Sequence, residues 1–443
     1  MRSMFKRSLI AASVMGAIAA AGTAHATNGY QLIGIGAYQK SLAGAVTAAP
    51  GSAMTAVSNP AGLARIEDRA DFSMEAFMPS RYTDFTGTGG AKVESDVEMY
   101  GVPSLGWKGP VGESGKMWFG GGMYGTSGLG ADYESTLAFP AAGSPFGADT
   151  YYDGYSSIAF WQMAPALAWN VNEKLDLGVA LNIDYQMVGF SQRFQTDGGG
   201  APGPDTTVSN FDLSKGAQGF GFGFTIGALY DVTDRMTVGA SYKSKQSFSD
   251  FEYNLGYGDI QDPALIGAPF AGPGGEMPAG KYKLDMDYPQ QLAVGIAYDV
   301  TDAVTISADV KWINWEDTME ELMISTPVAG VSIPFAADWE DQIVYAIGVQ
   351  WAVNEKVNLR AGYNYAEAPL DEDDVGNNLI LPAVVEQHFT FGGDVVLDKH
   401  WDLGFHVMYV PEETLTGSAT SGAPGVEIGM DQTSVGINLG YRF

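Results

Sequence analysis

Two basic side chains stand on the polar side of alternating segments: Lys243, closing Val238-Gly239-Ala240-Ser241-Tyr242-Lys243, and Arg360, within Val357-Asn358-Leu359-Arg360-Ala361. Either could meet a carboxylate through charge-assisted hydrogen bonds, or form an ion pair with an acid of the same parity such as Asp184. The acidic run Asp371-Glu372-Asp373-Asp374 offers oxygen ligands of the kind Ca²⁺ takes, but such runs are usually solvated surface. A lipid hydrolase would need a serine beside a histidine, and His388, His400 and His406 stand beside no nucleophile-elbow sequence. Gly34-x-Gly36 has no strand before it and is no nucleotide site. The absence of cysteine excludes thiolate metal sites, a cysteine nucleophile and a disulfide framework. The chemistry on offer is therefore binding and passage, without a cofactor.

The elements that position these residues are strands. From Leu175 to Met187 every odd residue is apolar, while Asp176, Gly178, Ala180, Asn182, Asp184 and Gln186 are small or polar. That is the two-faced pattern of a β-strand. It recurs at Val357 to Tyr365, at Trp401 to Tyr409 and at Thr433 to Phe443. Short polar turns such as Asn170 to Lys174, Asp231 to Arg235, Asp299 to Asp302 and Val353 to Lys356 join such segments, as do Gly109 to Gly115 and Asp398-Lys399. Between them run long connections, at roughly 82–96, 129–154, 191–218, 248–282, 319–337, 368–385 and 412–431. Six short turns and seven long loops predict fourteen antiparallel strands, the arrangement of an outer-membrane β-barrel with both ends in the periplasm.

Composition agrees. The 443 residues include 58 glycines, 12% aromatics and only 17% charged residues, and the net charge of −29 argues against nucleic acid and anionic lipid surfaces as partners. Arg2, Lys6 and Arg7, the apolar run Leu9 to Ala21 and Ala24-His25-Ala26 read as a signal peptide cleaved before Thr27. Residues 27–68 are rich in alanine and glycine, lack alternation and carry few charges: Lys40, Arg65, Glu67 and Asp68. A fourteen-stranded barrel is too wide for its own side chains to fill, so this segment is expected as a plug of short helices within the lumen, with the barrel spanning 69–443.

Asn28-Gly29-Tyr30, Gly34-Ile35-Gly36, Ala43-Gly44-Ala45 and above all Ser58-Asn59-Pro60-Ala61-Gly62-Leu63-Ala64 resemble the N-terminal hatch of the FadL/TodX family, outer-membrane transporters of long-chain fatty acids and hydrocarbons. Ala164 to Trp169, Val238 to Ser244 and Leu359 to Tyr363 extend the resemblance along the barrel. It implies capture of an apolar molecule among the outer loops, an inner binding site, and exit through a lateral opening where the third strand kinks inward. On this reading Asn59, Pro60 and Ala61 form a gating hatch. Gly120, Gly121 and Gly122 form the lateral opening, lined by Trp118 and Tyr124, since successive glycines free the backbone to leave the ladder. Leu265, Ile266 and Phe270 of the fourth long loop either help capture the ligand or join a loop mini-core. The partners expected are an apolar molecule and the lipid and lipopolysaccharide of the bacterial outer membrane, with the chain as a monomer. A porin for small polar solutes is the alternative, and it would need a lumen free of the plug.

Overall fold

The computed structural model describes residues 28–133, 138–139, 150–196 and 206–443; the segment read as a signal peptide lies outside the described residues. The alternating segments form a closed antiparallel barrel of fourteen strands. In chain order these are β1 (Arg69–Asp84), β2 (Tyr100–Pro110), β3 (Met117–Tyr133), β4 (Thr150–Met163, resuming as Ala166–Asn172), β5 (Leu175–Thr196), β6 (Ala217–Thr233), β7 (Met236–Lys243) and β8 (Gln291–Thr301). They continue with β9 (Val304–Ile313), β10 (Gln342–Asn354), β11 (Val357–Tyr365), β12 (Gln387–Val396), β13 (Trp401–Thr416) and β14 (Glu427–Arg442). Each strand pairs with the next, and β14 returns to β1 in unbroken register from Arg69↔Arg442 to Asp84↔Glu427. Closure matters because hydrocarbon offers backbone N–H and C=O groups no water, so a sheet can cross a bilayer only without free edges. Among the described residues no helix is long and apolar enough to cross.

Exposure follows the parity of the sequence. On β5 Val179, Leu181 and Met187 face outward, while Asp176, Asn182, Asp184 and Gln186 are buried within. The β6 run Gly219-Phe220-Gly221-Phe222-Gly223-Phe224 is the extreme case: Phe220 and Phe222 are each 59% exposed on the lipid side. The glycines between them face inward and leave room for what fills the lumen. Near the closing seam Trp401, Tyr441 and Phe443 meet edge to face in sequence, with ring centroids 4.7 and 5.7 Å apart, at the end carrying the short turns.

Residues 28–68 fill the lumen. They contain α1 (Gly36–Ser41), α2 (Thr55–Ser58) and a 3₁₀ turn, Pro60–Ala64. Helices this short do not persist alone in water, so the wall must hold them. Inward glycines let it come close: a Cβ on Gly178, Gly227, Gly239, Gly348 or Gly392 would collide with Ala61, Asn59, Thr47, Leu42 or Ser41 respectively. Ionic ties do the rest. Lys40 meets Glu75 at 3.1 Å, Arg65 meets Asp231 at 2.8 Å and also Asp176, Glu67 meets Arg442 at 2.7 Å, and Asp68 meets Lys108 at 2.7 Å. All four charges of the segment are therefore matched by the wall. The Lys40–Glu75 pair is fully buried, a setting in which removing one partner typically costs about 3–5 kcal/mol.

Candidate functional site

Between the plug and the wall lies a cavity of about 80 Å³, lined by Gln31, Ile33, Val46, Lys243, Asp309 and Lys311 among others. Lys243 ends β7 and points inward, as its parity requires. Its Nζ donates to Gln162 Oε1 at 3.0 Å, and Gln162 Nε2 donates to Asp184 Oδ1 at 2.9 Å. Lys311 Nζ stands 3.4 Å from Gln31 Oε1, and Gln31 Nε2 donates to Gln291 Oε1 at 3.1 Å. Asp309 Oδ2 accepts the backbone N–H groups of Val46 and Thr47 at 2.9 and 2.8 Å, fixing the plug beside the two lysines. Lys311 was not singled out from the sequence, although Asp309-Val310-Lys311 carries the same alternation.

Arg360 is not brought to this cavity. It faces a second, polar one of about 210 Å³ at the end of the barrel carrying the short turns, with Arg69, Asp394, Asp402 and Arg442. Its guanidinium is ion-paired with Asp394, donates from Nε to Gln350 Oε1 at 2.6 Å and lies 4.5 Å from the centroid of Tyr38. Lys243 and Arg360 therefore do not share a single ligand-sized space. In the loop between β7 and β8, Leu255, Ile260 and Met277 are buried, Leu265 and Phe270 pack partly against the core, and Ile266 is exposed. Asp371 to Asp374 make a turn in which Asp373 N donates to Asp371 Oδ1 at 2.7 Å. Among the described residues no cluster of acids and histidines suited to a metal ion is found.

The seam between β2 and β3 departs from the expected place. Gly120, Gly121 and Gly122 are paired in register with Lys108, Trp107 and Gly106, and a Cβ on Gly120 or Gly122 would land on a β2 carbonyl. The glycines serve close strand approach. The ladder ends instead at Ser104↔Tyr124, beyond which β3 continues to Tyr133 paired with β4 alone. Pro103, which has no N–H to give, stands at that point on β2, and the β3 register shifts between Gly125 and Ser127. The freed edge of β3 is satisfied by other groups. Leu32 N donates to Thr126 O at 3.0 Å, Gly128 N donates to Tyr30 O at 2.9 Å, Asp96 N donates to Asp132 O at 2.8 Å, and the Arg81 guanidinium donates to Gly130 O. The start of the plug thus caps part of that edge without adding a strand. Tyr124 is fully buried beside this parting, whereas Trp118 lies lower, its ring 4.8 Å from Lys108 Nζ.

Tyr30 is also one wall of an aromatic cluster that the sequence reading missed. Its ring lies 4.7 Å from Trp315, 5.8 Å from Tyr288 and 5.9 Å from Trp339, and Tyr288 stacks on Phe160 at 4.4 Å. Asn59 locks the 3₁₀ turn: its Oδ1 accepts Ala61 N at 3.1 Å while its Nδ2 donates to Thr47 O at 2.7 Å and to Ala228 O of the wall at 3.2 Å. Pro60 and Ala61 rest against Gly178. His406, Ser434 and Glu75 meet inside the wall, but Ser434 Oγ and Glu75 Oε1 face the same ring nitrogen at 3.4 and 3.7 Å. A catalytic relay needs them on opposite nitrogens.

Fold and interior together define a plugged outer-membrane barrel built for passage. The model of the family described as outer membrane protein transport protein (OMPP1/FadL/TodX) matches residues 13–443, and the chain belongs to that family. Its structure resembles the toluene transporter TodX of Pseudomonas putida, with a TM-score of 0.72 at 20% identity, covering 93% of this chain and 99% of that one. It also resembles the toluene transporter TbuX of Ralstonia pickettii, with a TM-score of 0.67 at 19% identity over 93% and 99% of the chains. A FadL homologue of Pseudomonas aeruginosa gives 0.68 at 16% over 94% and 100%. These likenesses speak to the fold. An outer-membrane protein of Neisseria meningitidis serogroup B is 22% identical over 249 residues, and the match spans 52% of each chain, about half the length of that relative. The chain is thus an outer-membrane barrel of a transport-protein family.

Proposed function

We propose that the chain, a monomer among outer-membrane lipid and lipopolysaccharide, takes up long-chain fatty acids or hydrocarbons by passive, ligand-gated diffusion and releases them sideways through the wall between β2 and β3. The observation that carries this reading is the parted seam above Tyr124, whose β3 edge is held by Tyr30 and Leu32 of the plug instead of by β2. Tyr30 belongs at once to that strap and to the aromatic cluster. A ligand that displaces its ring therefore loosens the strap, which couples binding to opening. Asn59, Pro60 and Ala61 anchor the far end of the plug, so that its beginning can move while its body stays seated. The cavity of about 80 Å³ is smaller than the roughly 150 Å³ space known to take benzene, so binding requires such movement. A porin for polar solutes is the weaker reading, because the plug and its ionic ties fill the lumen.

Lys243 is the group best placed for a carboxylate, because it faces the cavity, whereas Arg360 is already engaged by Asp394, Gln350 and Tyr38. Lys243→Met should weaken binding of oleate relative to an alkane of the same length by about 1.5–3 kcal/mol, the worth of a hydrogen bond to a charged group. Arg360→Met should leave that difference unchanged. A competition series with a fatty acid, an alkane and a monoaromatic measures both. Equal losses for oleate and alkane in Lys243→Met would remove the carboxylate role and favour a hydrocarbon as substrate.

A further inference from the structure

The connection between β11 and β12 divides sharply in composition. Asp371 to Asp373 are exposed acids, whereas Asn378, Leu379, Ile380, Leu381, Ala383, Val384 and Val385 are each at most 3% exposed. An apolar run in a loop facing water must be covered, and its contacts show by what. Thr83 Oγ1, at the end of β1, donates to Leu379 O at 3.1 Å. A Cβ placed on Gly154 of β4 falls 2.9 Å from Ile380 Cγ2. In a ring of fourteen strands β4 lies half the circumference from β11, so the loop crosses the whole mouth of the barrel. A loop folded only on its own neighbours would reach β10 or β13 and stop there.

The start of the crossing is tied twice. Asn378 Oδ1 accepts Trp339 Nε1 at 2.8 Å, and its Nδ2 donates to Ala337 O at 2.8 Å. On the outside, Asp373 accepts the hydroxyls of Ser418 and Thr420 from the loop between β13 and β14, and Ser418 N donates to Glu372 O at 2.8 Å. Beneath the crossing lie the rings of Tyr152 and Phe85, 5.1 Å apart. The side chains of the run Leu379-Ile380-Leu381 are hydrocarbon and cannot solvate an ion.

We infer that residues 378–385 are an outer gate that bars water and ions from the lumen and parts for an apolar molecule, with the Asp373–Ser418–Thr420 contact as its hinge. A constriction of this kind closes by excluding water, so an ion pays its full dehydration there while a hydrocarbon loses nothing by touching leucine and isoleucine. Within the acidic run it is Asp373 that holds the hinge of the gate. The identity of the passing molecule rests on the proposed uptake of apolar compounds; the geometry of the gate does not.

Because the chain has no cysteine, a single one reports cleanly. Ile380→Cys on intact cells should react slowly with a membrane-impermeant maleimide, and about tenfold faster once Asp373→Ala and Thr420→Ala release the hinge bonds to a charged group. Equal rates with and without the hinge changes, in barrels that remain heat-modifiable, would overturn the gate whatever the barrel carries. A second variant tests passage: Gly154→Cys with Ile380→Cys, bridged by oxidation, should lose uptake of a radiolabelled alkane and regain it on reduction. Undiminished uptake through the bridged barrel would also overturn the gate. If the unsubstituted chain takes up no alkane or fatty acid at all, the proposed function fails and the labelling result alone decides the gate.

Discussion

Deleting residues 27–68 should yield a barrel that still assembles and now conducts ions. The wall closes through its own ladder, β14 to β1, and takes no strand from the plug, so assembly does not require that segment. What the deletion exposes is a lumen lined by Asp71, Glu75, Asp176, Asp184, Asp309 and other polar side chains, which water can solvate once the plug is gone. Residues 378–385 remain across the mouth, so the current should come as interrupted openings, becoming continuous when these residues are deleted as well. Planar-bilayer recordings of the three proteins check this. A double-deletion barrel as silent as the intact chain would mean that the N-terminal segment does not block the lumen.

The second large effect is expected at the seam. A Cβ on Gly125 would stand 3.0 Å from Val102 Cγ1, at the point where β2 and β3 part, so Val102→Cys with Gly125→Cys places two thiols within bridging reach. Oxidation should close the parting and reduce uptake to that of cells without the transporter, while the purified barrel still binds ligand from outside. Reduction should restore uptake. The energetic reason lies in the cargo. Each CH₂ moved from protein into water costs about 0.8 kcal/mol, so delivery through an aqueous exit would forfeit most of the binding energy, whereas delivery into the bilayer forfeits little. Undiminished uptake in the oxidised barrel would place the exit elsewhere, and movement of Asn59-Pro60-Ala61 opening a continuous channel would then be the better mechanism. Filling the seam with valine at Gly120 and Gly122 is not an equivalent experiment, because both side chains would strike β2 backbone that is still paired.

What the sequence disclosed was direction. Period-two alternation told which side chains of β5 or β14 face lipid, and the rhythm of short and long connections told how many strands there are, because both properties are local. Height and azimuth were harder. Lys243 and Arg360 share a parity, yet Lys243 stands seven residues above Met236, where its strand leaves the short turn, while Arg360 stands three residues above Val357. At about 3.3 Å per residue that offset is roughly 13 Å along the strand, enough to put them in different cavities. The turn positions carry that offset. The glycine triplet misled because glycine marks any close approach of backbone, and here it serves pairing. The parting at Tyr124 depends on Pro103, on the shifted β3 register and on hydrogen bonds from Leu32 and Arg81, partners far apart in sequence. The aromatic cluster around Tyr30 and the loop that crosses from β11 to β4 are likewise products of long-range packing.

What crosses the membrane through the intact chain is the most direct test of uptake. Cells lacking their own transporter of apolar compounds, supplied with this protein, should take up radiolabelled oleate or toluene with saturation, and liposomes containing it should not swell in an isotonic small sugar. That pair of results is expected of a barrel whose plug stays seated while an apolar cargo passes beside it. Rapid swelling in sugar without saturable uptake of either apolar compound would contradict the account and make the protein a porin.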